Sequence, residues 1–97
     1  MIKDKAKFFK ALGDETRLKI VKCALGCECC ACGFVPKTKK DQTTVSRHLK
    51  ILVEAGILKY QKKGRFIIYR IKSDELKKFL VNLGLKEITR TSFQEDK

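Results

Sequence analysis

The fold prediction for this sequence depends on the stretch from Asp41 to Gly56, DQTTVSRHLKILVEAG. Its apolar residues recur at i, i+4, i+7 and i+8, which is one face of an α-helix; they are Val45, Leu49, Leu52 and Val53. Asp41 can cap the start of this helix, and Gly56 stands where a left-handed residue would end it. The opposite face is polar and basic and consists of Gln42, Thr43, Ser46, Arg47 and Lys50. Such a helix has the chemistry of one that reads DNA, although an ordinary solvated amphipathic helix would show the same pattern.

Two short runs of β-branched and aromatic residues follow this helix. They are Ile57–Lys62 and Phe66–Ile71, and the Lys-Gly-Arg sequence of residues 63–65 between them predicts a hairpin turn. A hairpin with a basic tip directly after such a helix is typical of a DNA-binding wing. The hairpin therefore favours the DNA-reading interpretation of residues 41–56.

Amphipathic patterns predict further helices on both sides of this unit. The first covers residues 2–12, and the second runs from residue 15 to about 25 with Asp14 as its N-cap. Ser73 caps a last helix, and Gly84 closes it. With a short helix before Asp41, this order is that of a winged helix-turn-helix domain, mainly α (α+β) with a two-stranded β wing. We expect residues 1–85 to form the domain and residues 86–97 to form a polar tail.

Positive charge is concentrated around the predicted DNA-reading unit. The formal net charge is +12; residues 36–72 hold eleven Lys or Arg against two acids, whereas residues 73–97 hold five of each. A localised basic stripe is the footprint of a nucleic-acid surface; a general lysine bias is the alternative, but it would not leave the last segment neutral. No apolar run approaches the roughly 20 residues that span a bilayer, and no signal-peptide pattern is present. We therefore expect a cytoplasmic protein with no membrane partner.

Five cysteines fall within ten residues: Cys23, Cys27, Cys29, Cys30 and Cys32. Neighbouring thiols in a cytosolic chain indicate metal binding or redox chemistry rather than a disulfide framework. Thiolates select soft ions, so the candidates are As(III) and Sb(III) first, then Cd, Pb, Zn or Cu(I). We expect Cys27, Cys29, Cys30 and Cys32 to be the ligands and Cys23 to lie in the core. The interleaved Cys-x-x-Cys pairs would also allow a disulfide switch, and small thiols could simply fill the core.

Residues 9–20 read FKALGDETRLKI, and residues 44–52 read TVSRHLKIL. Together with residues 55–58 and 64–71, these segments resemble the opening, recognition helix and wing of the ArsR/SmtB family of metal-responsive repressors. The match covers most of residues 5–72 with unbroken spacing. The resemblance implies a homodimer that represses transcription and releases its operator when a thiophilic metal or metalloid binds.

Cys30 and Cys32 match a Cys-x-Cys pair that many family members carry. The sequence departs from the family pattern at three other points. Gly33 and Pro36 weaken any long helix after the pair. The position of a third arsenite ligand that some members have is occupied here by Val35, so that ligand is absent. The last helix has no His, which argues against the zinc site that other members build there.

The predicted contacts with DNA and with a second protomer follow from these positions. The DNA-binding residues would be Gln42, Thr43, Ser46, Arg47, His48 and Lys50 on the recognition helix and Lys62, Lys63 and Arg65 at the wing tip. For His48, a packing or phosphate contact is about as well supported as base reading. The dimer interface would use Phe8, Phe9, Leu12, Leu76, Phe79, Leu80 and Leu83, although some of these could belong to the core of one protomer. A two-fold dimer would read an inverted repeat with half-sites about 10 bp apart.

No catalytic constellation is visible in the sequence, which argues against an enzyme. The main hypothesis is a homodimeric repressor that leaves double-stranded operator DNA when an arsenite-like ligand binds the Cys27–Cys32 cluster. Ligand binding would reshape this segment and displace the recognition helix. The alternatives are a redox-responsive DNA-binding regulator that uses Cys-x-x-Cys disulfides and a thiol-rich metal-buffering module.

Overall fold

Five helices and three strands follow one another in the described part of the chain. The structure, a computed structural model, describes residues 2–26 and 29–85, with side chains for residues 3–26 and 33–85. The elements are α1 (Ile2–Leu12), α2 (Glu15–Gly26), β1 (Cys29–Cys30), α3 (Ala31–Thr38), α4 (Gln42–Glu54), β2 (Leu58–Lys63), β3 (Phe66–Ile71) and α5 (Asp74–Asn82). The predicted polar tail, residues 86–97, lies outside the described residues.

The recognition helix α4 begins and ends at the predicted signals. The Asp41 carboxylate accepts a hydrogen bond from the Thr44 amide at 3.1 Å, which satisfies one of the amides that open a helix. Gly56 has a φ of +80°, a left-handed conformation that costs other residues about 1–2 kcal/mol. The apolar face is buried at Val45, Leu49 and Leu52. The predicted helix is therefore confirmed, with the boundaries that its end residues indicate.

The wing is a β-hairpin, as predicted. β2 pairs antiparallel with β3, with Leu58 opposite Ile71 and Lys63 opposite Phe66. Gly64 turns the chain with a φ of +61°. β2 begins one residue later than the sequence predicts. Ile57, just before it, is buried, and its carbonyl accepts a hydrogen bond from the Lys72 amide at 3.0 Å.

A third strand, β1, was not predicted. Its two residues pair antiparallel with β3, with Cys29 opposite Tyr69 and Cys30 opposite Ile68. The strand order is β1-β3-β2, so β3 is the central strand of the sheet. A two-residue strand is too short to leave a periodic signal in the sequence. Part of the cysteine segment is therefore hydrogen-bonded to the wing.

The helix α3 forms although Gly33 and Pro36 both lie inside it. The expectation of a short helix is confirmed, and α3 ends after eight residues, at Thr38. The physical reason is tertiary: Phe34 is fully buried and fixes α3 to the core. At its end, the Thr38 hydroxyl donates to the Phe34 carbonyl at 2.9 Å and accepts from the Lys40 amide at 3.3 Å.

The core is formed mainly by α2, α3, α4 and the base of the wing, and α1 and α5 add residues to it. Beside Phe34 and the α4 face, it contains Ile20, Val21, Cys23, Ala24, Leu25, Ile57, Leu58, Ile71 and Leu80. Cys23 has no exposed surface, which confirms its predicted core position. α3 packs against both α2 and α4, so the position of the recognition helix depends on α3. Among the described residues, no helix is long and apolar enough to cross a bilayer.

Candidate DNA interface and cysteine segment

The polar face of α4 is exposed over its first half. Gln42, Thr43, Ser46, Arg47 and Lys50 all present their side chains to solvent. These side chains can donate to phosphates and to the acceptor atoms of base edges in a major groove. The Thr44 hydroxyl and amide donate to Asp41 and hold the pKa of that carboxyl below its ordinary value. The cap therefore stays ionised at neutral pH and keeps the start of α4 fixed.

The wing tip carries the second group of predicted DNA contacts. Lys62, Lys63 and Arg65 are exposed there, and the two lysines lie opposite Ile67 and Phe66 in the hairpin. The Phe66 side chain is 54% exposed. This tip combines cations for phosphates with an apolar side chain, a combination that proteins use in the minor groove. Phe66 was not among the predicted DNA contacts, because an aromatic residue in a short strand is usually packed.

His48 does not share the exposed face of α4. Its side chain is only 17% exposed, and its Nδ1 atom lies 3.1 Å from Nη1 of Arg17 on α2. The structure favours the packing role for this residue. The sequence could not show the contact, because the two residues lie far apart in the chain.

We expect Lys63→Ala to weaken binding to every DNA sequence alike. The ammonium group would contact phosphates, which carry no sequence information, so its loss should lower affinity severalfold and reduce the salt dependence by about one counterion. Titration of specific and unrelated duplexes at several salt concentrations measures both effects. Lys78→Ala on α5 is the matched control, because it removes the same charge from another exposed site. Equal losses for the two variants would contradict a specific role for the wing.

The predicted metal ligands fall at the junction between β1 and α3. Cys29 and Cys30 form β1, and Cys32 lies in the first turn of α3. Cys27 lies outside the described residues. Among the side chains that the structure describes, no three from Cys, His, Asp and Glu converge as a metal site. The backbone of these three predicted ligands thus runs from the strand that pairs with the wing into α3, the helix that supports α4.

The predicted dimer residues divide between the surface and the core. Phe9, Phe79 and Leu83 are 52%, 42% and 50% exposed, and the Phe8 and Phe79 rings, 6.0 Å apart, join α1 to α5. Phe8 and Leu76 are half-buried.

Leu12 and Leu80 are buried inside the protomer, so they are corrected to core positions. Val81 is 52% exposed and extends the apolar surface beyond the predicted set.

Comparison with known proteins identifies the family. The family model described as bacterial regulatory protein, arsR family, matches residues 14–60. An uncharacterized HTH-type transcriptional regulator of Methanocaldococcus jannaschii is 43% identical over 76 residues, which are 77% of this chain and 85% of that protein. The chain belongs to the ArsR family. Because the ArsR family consists of transcriptional regulators, the chain is not an enzyme.

The names of two other relatives refer to resistance to a metal or a metalloid. The cadmium resistance transcriptional regulatory protein CadC homolog of Staphylococcus aureus is 37% identical over 78 residues, 79% of this chain and 64% of the relative. The arsenical resistance operon repressor of Escherichia coli K12 is 42% identical over 67 residues, 67% of this chain and 56% of the relative. The chain thus spans less than two thirds of the length of either protein.

Solved structures confirm the winged helix-turn-helix fold. The homodimeric winged helix-turn-helix DNA-binding domain Mb0332 of Mycobacterium bovis superposes with a TM-score of 0.81 at 23% identity, over 86% of this chain and 77% of that one. The cadmium metal-sensor CMTR of Mycobacterium tuberculosis superposes with a TM-score of 0.70 at 26% identity, over 88% of this chain and 92% of that one. The predicted fold and the predicted family resemblance are both confirmed.

Proposed function

We propose that this ArsR-family chain is a cytoplasmic homodimeric repressor that binds an inverted-repeat operator and releases it when a thiophilic metal or metalloid binds the Cys27–Cys32 cluster. Each protomer would place the exposed face of α4 in a major groove and the wing tip over the neighbouring phosphates. The exposed apolar residues of α1 and α5 would form the two-fold interface. As(III) and Sb(III) are the favoured ligands, ahead of Cd, Pb, Zn and Cu(I).

The observation that carries this proposal is the position of the cysteine segment between the two DNA-binding elements. β1 is hydrogen-bonded to β3, the central strand of the wing sheet. Directly after β1, the chain enters α3, which packs against α4. A ligand that rearranges residues 29–32 would therefore act on the wing through β1 and on the recognition helix through α3. The packed contact between α3 and α4 leaves little free volume, so a shift of α3 would move the recognition helix. The wing would respond through its hydrogen bonds to β1.

The chemistry of the donor set fits a soft ligand. Four cysteines within residues 27–32 offer up to four thiolates, which suits the three sulfurs that arsenite takes or the four that cadmium or zinc takes. The names of two relatives support the same class of ligand, because one is an arsenical resistance repressor and the other a cadmium resistance regulator. The choice between these ions depends on which thiolates bind.

The test combines operator release with a spectroscopic signal from the wing. Reduced protein is titrated with arsenite, antimonite, cadmium and zinc while bound to the DNA upstream of its own gene. The chain has no Trp and two Tyr; Tyr60 and Tyr69 both lie in the wing, with ring centroids 6.1 Å apart. Because Tyr69 lies opposite Cys29, tyrosine fluorescence should change at the same ligand concentration that releases DNA.

Each alternative predicts a different result in this experiment. If the reduced protein showed no sequence-specific, salt-sensitive binding, the regulator proposal would fail in favour of a metal-buffering module. Release by diamide alone, with no response to any metal, would support the redox-responsive regulator instead. DNA release with unchanged tyrosine fluorescence would leave the function standing but remove the wing from the route of the signal.

A further inference from the structure

The guanidinium group of Arg17 joins three helices at one corner of the domain. Its Nε atom donates to the Ala11 carbonyl at the end of α1 at 2.6 Å. Its Nη1 atom lies 3.1 Å from His48 Nδ1 on α4. The backbone amide of Arg17 donates to the Asp14 carboxylate at 3.1 Å, which caps α2. One side chain thus connects the recognition helix to the corner between α1 and α2.

The protonation state of His48 follows from this contact. Arg has donors only and stays charged, so His48 Nδ1 must accept the bond, and the ring must be neutral with its proton on Nε2. Burial lowers the pKa of His48; the Asp14 carboxylate opposes this effect, while Arg17, Arg47 and Lys40 add to it. Asp14 lies 4.0 Å from the same Nδ1 atom. A protonated Nδ1 could not accept from Arg17 and would have Asp14 as its only anionic neighbour among these groups.

We propose that Arg17 and His48 form a clamp that fixes the rotation and position of α4, and that His48 is a positioning residue rather than a DNA contact. The side chain next to His48 on one side is Arg47, which is exposed, and on the other side is Leu49, which is buried. Holding His48 therefore orients the DNA-facing side of the same turn. This inference rests on the proposed operator binding but is independent of ligand sensing.

Two near-isosteric variants distinguish the clamp from a DNA contact. The Asn side chain can place an oxygen near the Nδ1 position, whereas the longer Gln side chain places its polar atoms near Nε2. We expect His48→Asn to retain the preference for operator over unrelated DNA. His48→Gln and His48→Leu should lower that preference roughly tenfold, the scale of a hydrogen bond to a charged group. Affinities for both duplexes at equal salt measure the ratio.

The opposite pattern would overturn the clamp. If His48→Gln kept the preference and His48→Asn lost it, His48 would contact DNA through Nε2. If all three variants lost it equally, simple packing of the ring would explain the site. If none lost it, the contact would have no role in operator reading. A wild-type protein without any operator preference would refute the proposed function instead, while the pH dependence of urea unfolding would still test the clamp.

Arg17→Lys tests the other half of the clamp. Lys keeps the charge, but its single ammonium group cannot reproduce the forked contact with Ala11 and His48. We expect the variant to lose about as much operator preference as His48→Leu. The double variant Arg17→Lys/His48→Leu should lose little more, because both changes break one interaction. Additive losses would contradict a shared clamp.

Acid should open the clamp and lower the stability of the fold, as the direction of the His48 pKa shift requires. Because the folded protein lowers the pKa of His48, the unfolded chain binds the proton more readily, and protonation favours unfolding. The contribution to stability is therefore present above the ordinary value of about 6.5 and is lost as pH falls below it. Urea unfolding between pH 7.5 and 5 should show this loss in the wild type and not in His48→Asn. Identical pH profiles would overturn the clamp.

Discussion

Replacing Cys30 and Cys32 together by serine is expected to leave operator binding intact and to abolish its release by arsenite. Serine has nearly the size of cysteine, so β1 and the start of α3 should keep their backbone pairing. The serine hydroxyl is a hard donor that stays protonated at neutral pH and is a poor ligand for soft ions. Ligand coupling of this kind usually changes affinity roughly 5- to 150-fold; the variant should show almost none of that change.

Operator titrations with and without arsenite, under strict reduction, measure the coupling directly. Cys23→Ala is the matched control, because this thiol is fully buried in the core rather than part of the proposed cluster. That variant should lose some stability and still release DNA. A Cys30→Ser/Cys32→Ser protein that responded normally would exclude this pair as ligands. Loss of operator binding without any ligand would instead mean that the two cysteines are structural.

Phe34→Ala should cause the largest loss of stability of any single change considered for this chain. The side chain has no exposed surface and fixes α3 to the core. Removing a buried aromatic ring costs about 3–5 kcal/mol through lost burial and the cavity left behind. Since small domains have only about 5–15 kcal/mol of net stability, the variant should be partly unfolded at moderate urea concentrations. Because α3 supports α4, operator affinity should fall with it.

Urea unfolding of both variants at the same protein concentration measures this loss, because the stability of a dimer depends on protomer concentration and the comparison holds it constant. Phe66→Ala is the control, because it removes the same ring from a side chain that is 54% exposed. Its free energy of unfolding should change by less than about 1 kcal/mol. Similar losses for the two variants would show that Phe34 does not anchor α3.

The sequence by itself determined the elements whose signals are local. α4 could be located from its cap at Asp41, its buried stripe and Gly56, and the wing from two alternating runs around Gly64. Both follow from the period of the apolar residues and from backbone conformations that few residues tolerate. The motifs of residues 9–20 and 44–52 were also sufficient to predict the family. These signals require no knowledge of distant parts of the chain.

Tertiary structure alone decided the features that depend on distant partners. β1 exists because β3 offers a free edge, and α3 survives Gly33 and Pro36 because Phe34 is buried. Leu12 and Leu80 became core residues, and His48 turned from the DNA face towards Arg17. In each case the free energy comes from a contact between residues far apart in the chain, which no local pattern encodes. The sequence therefore determined the elements that would read DNA, and the tertiary structure decided how they are held and connected to the cysteine segment.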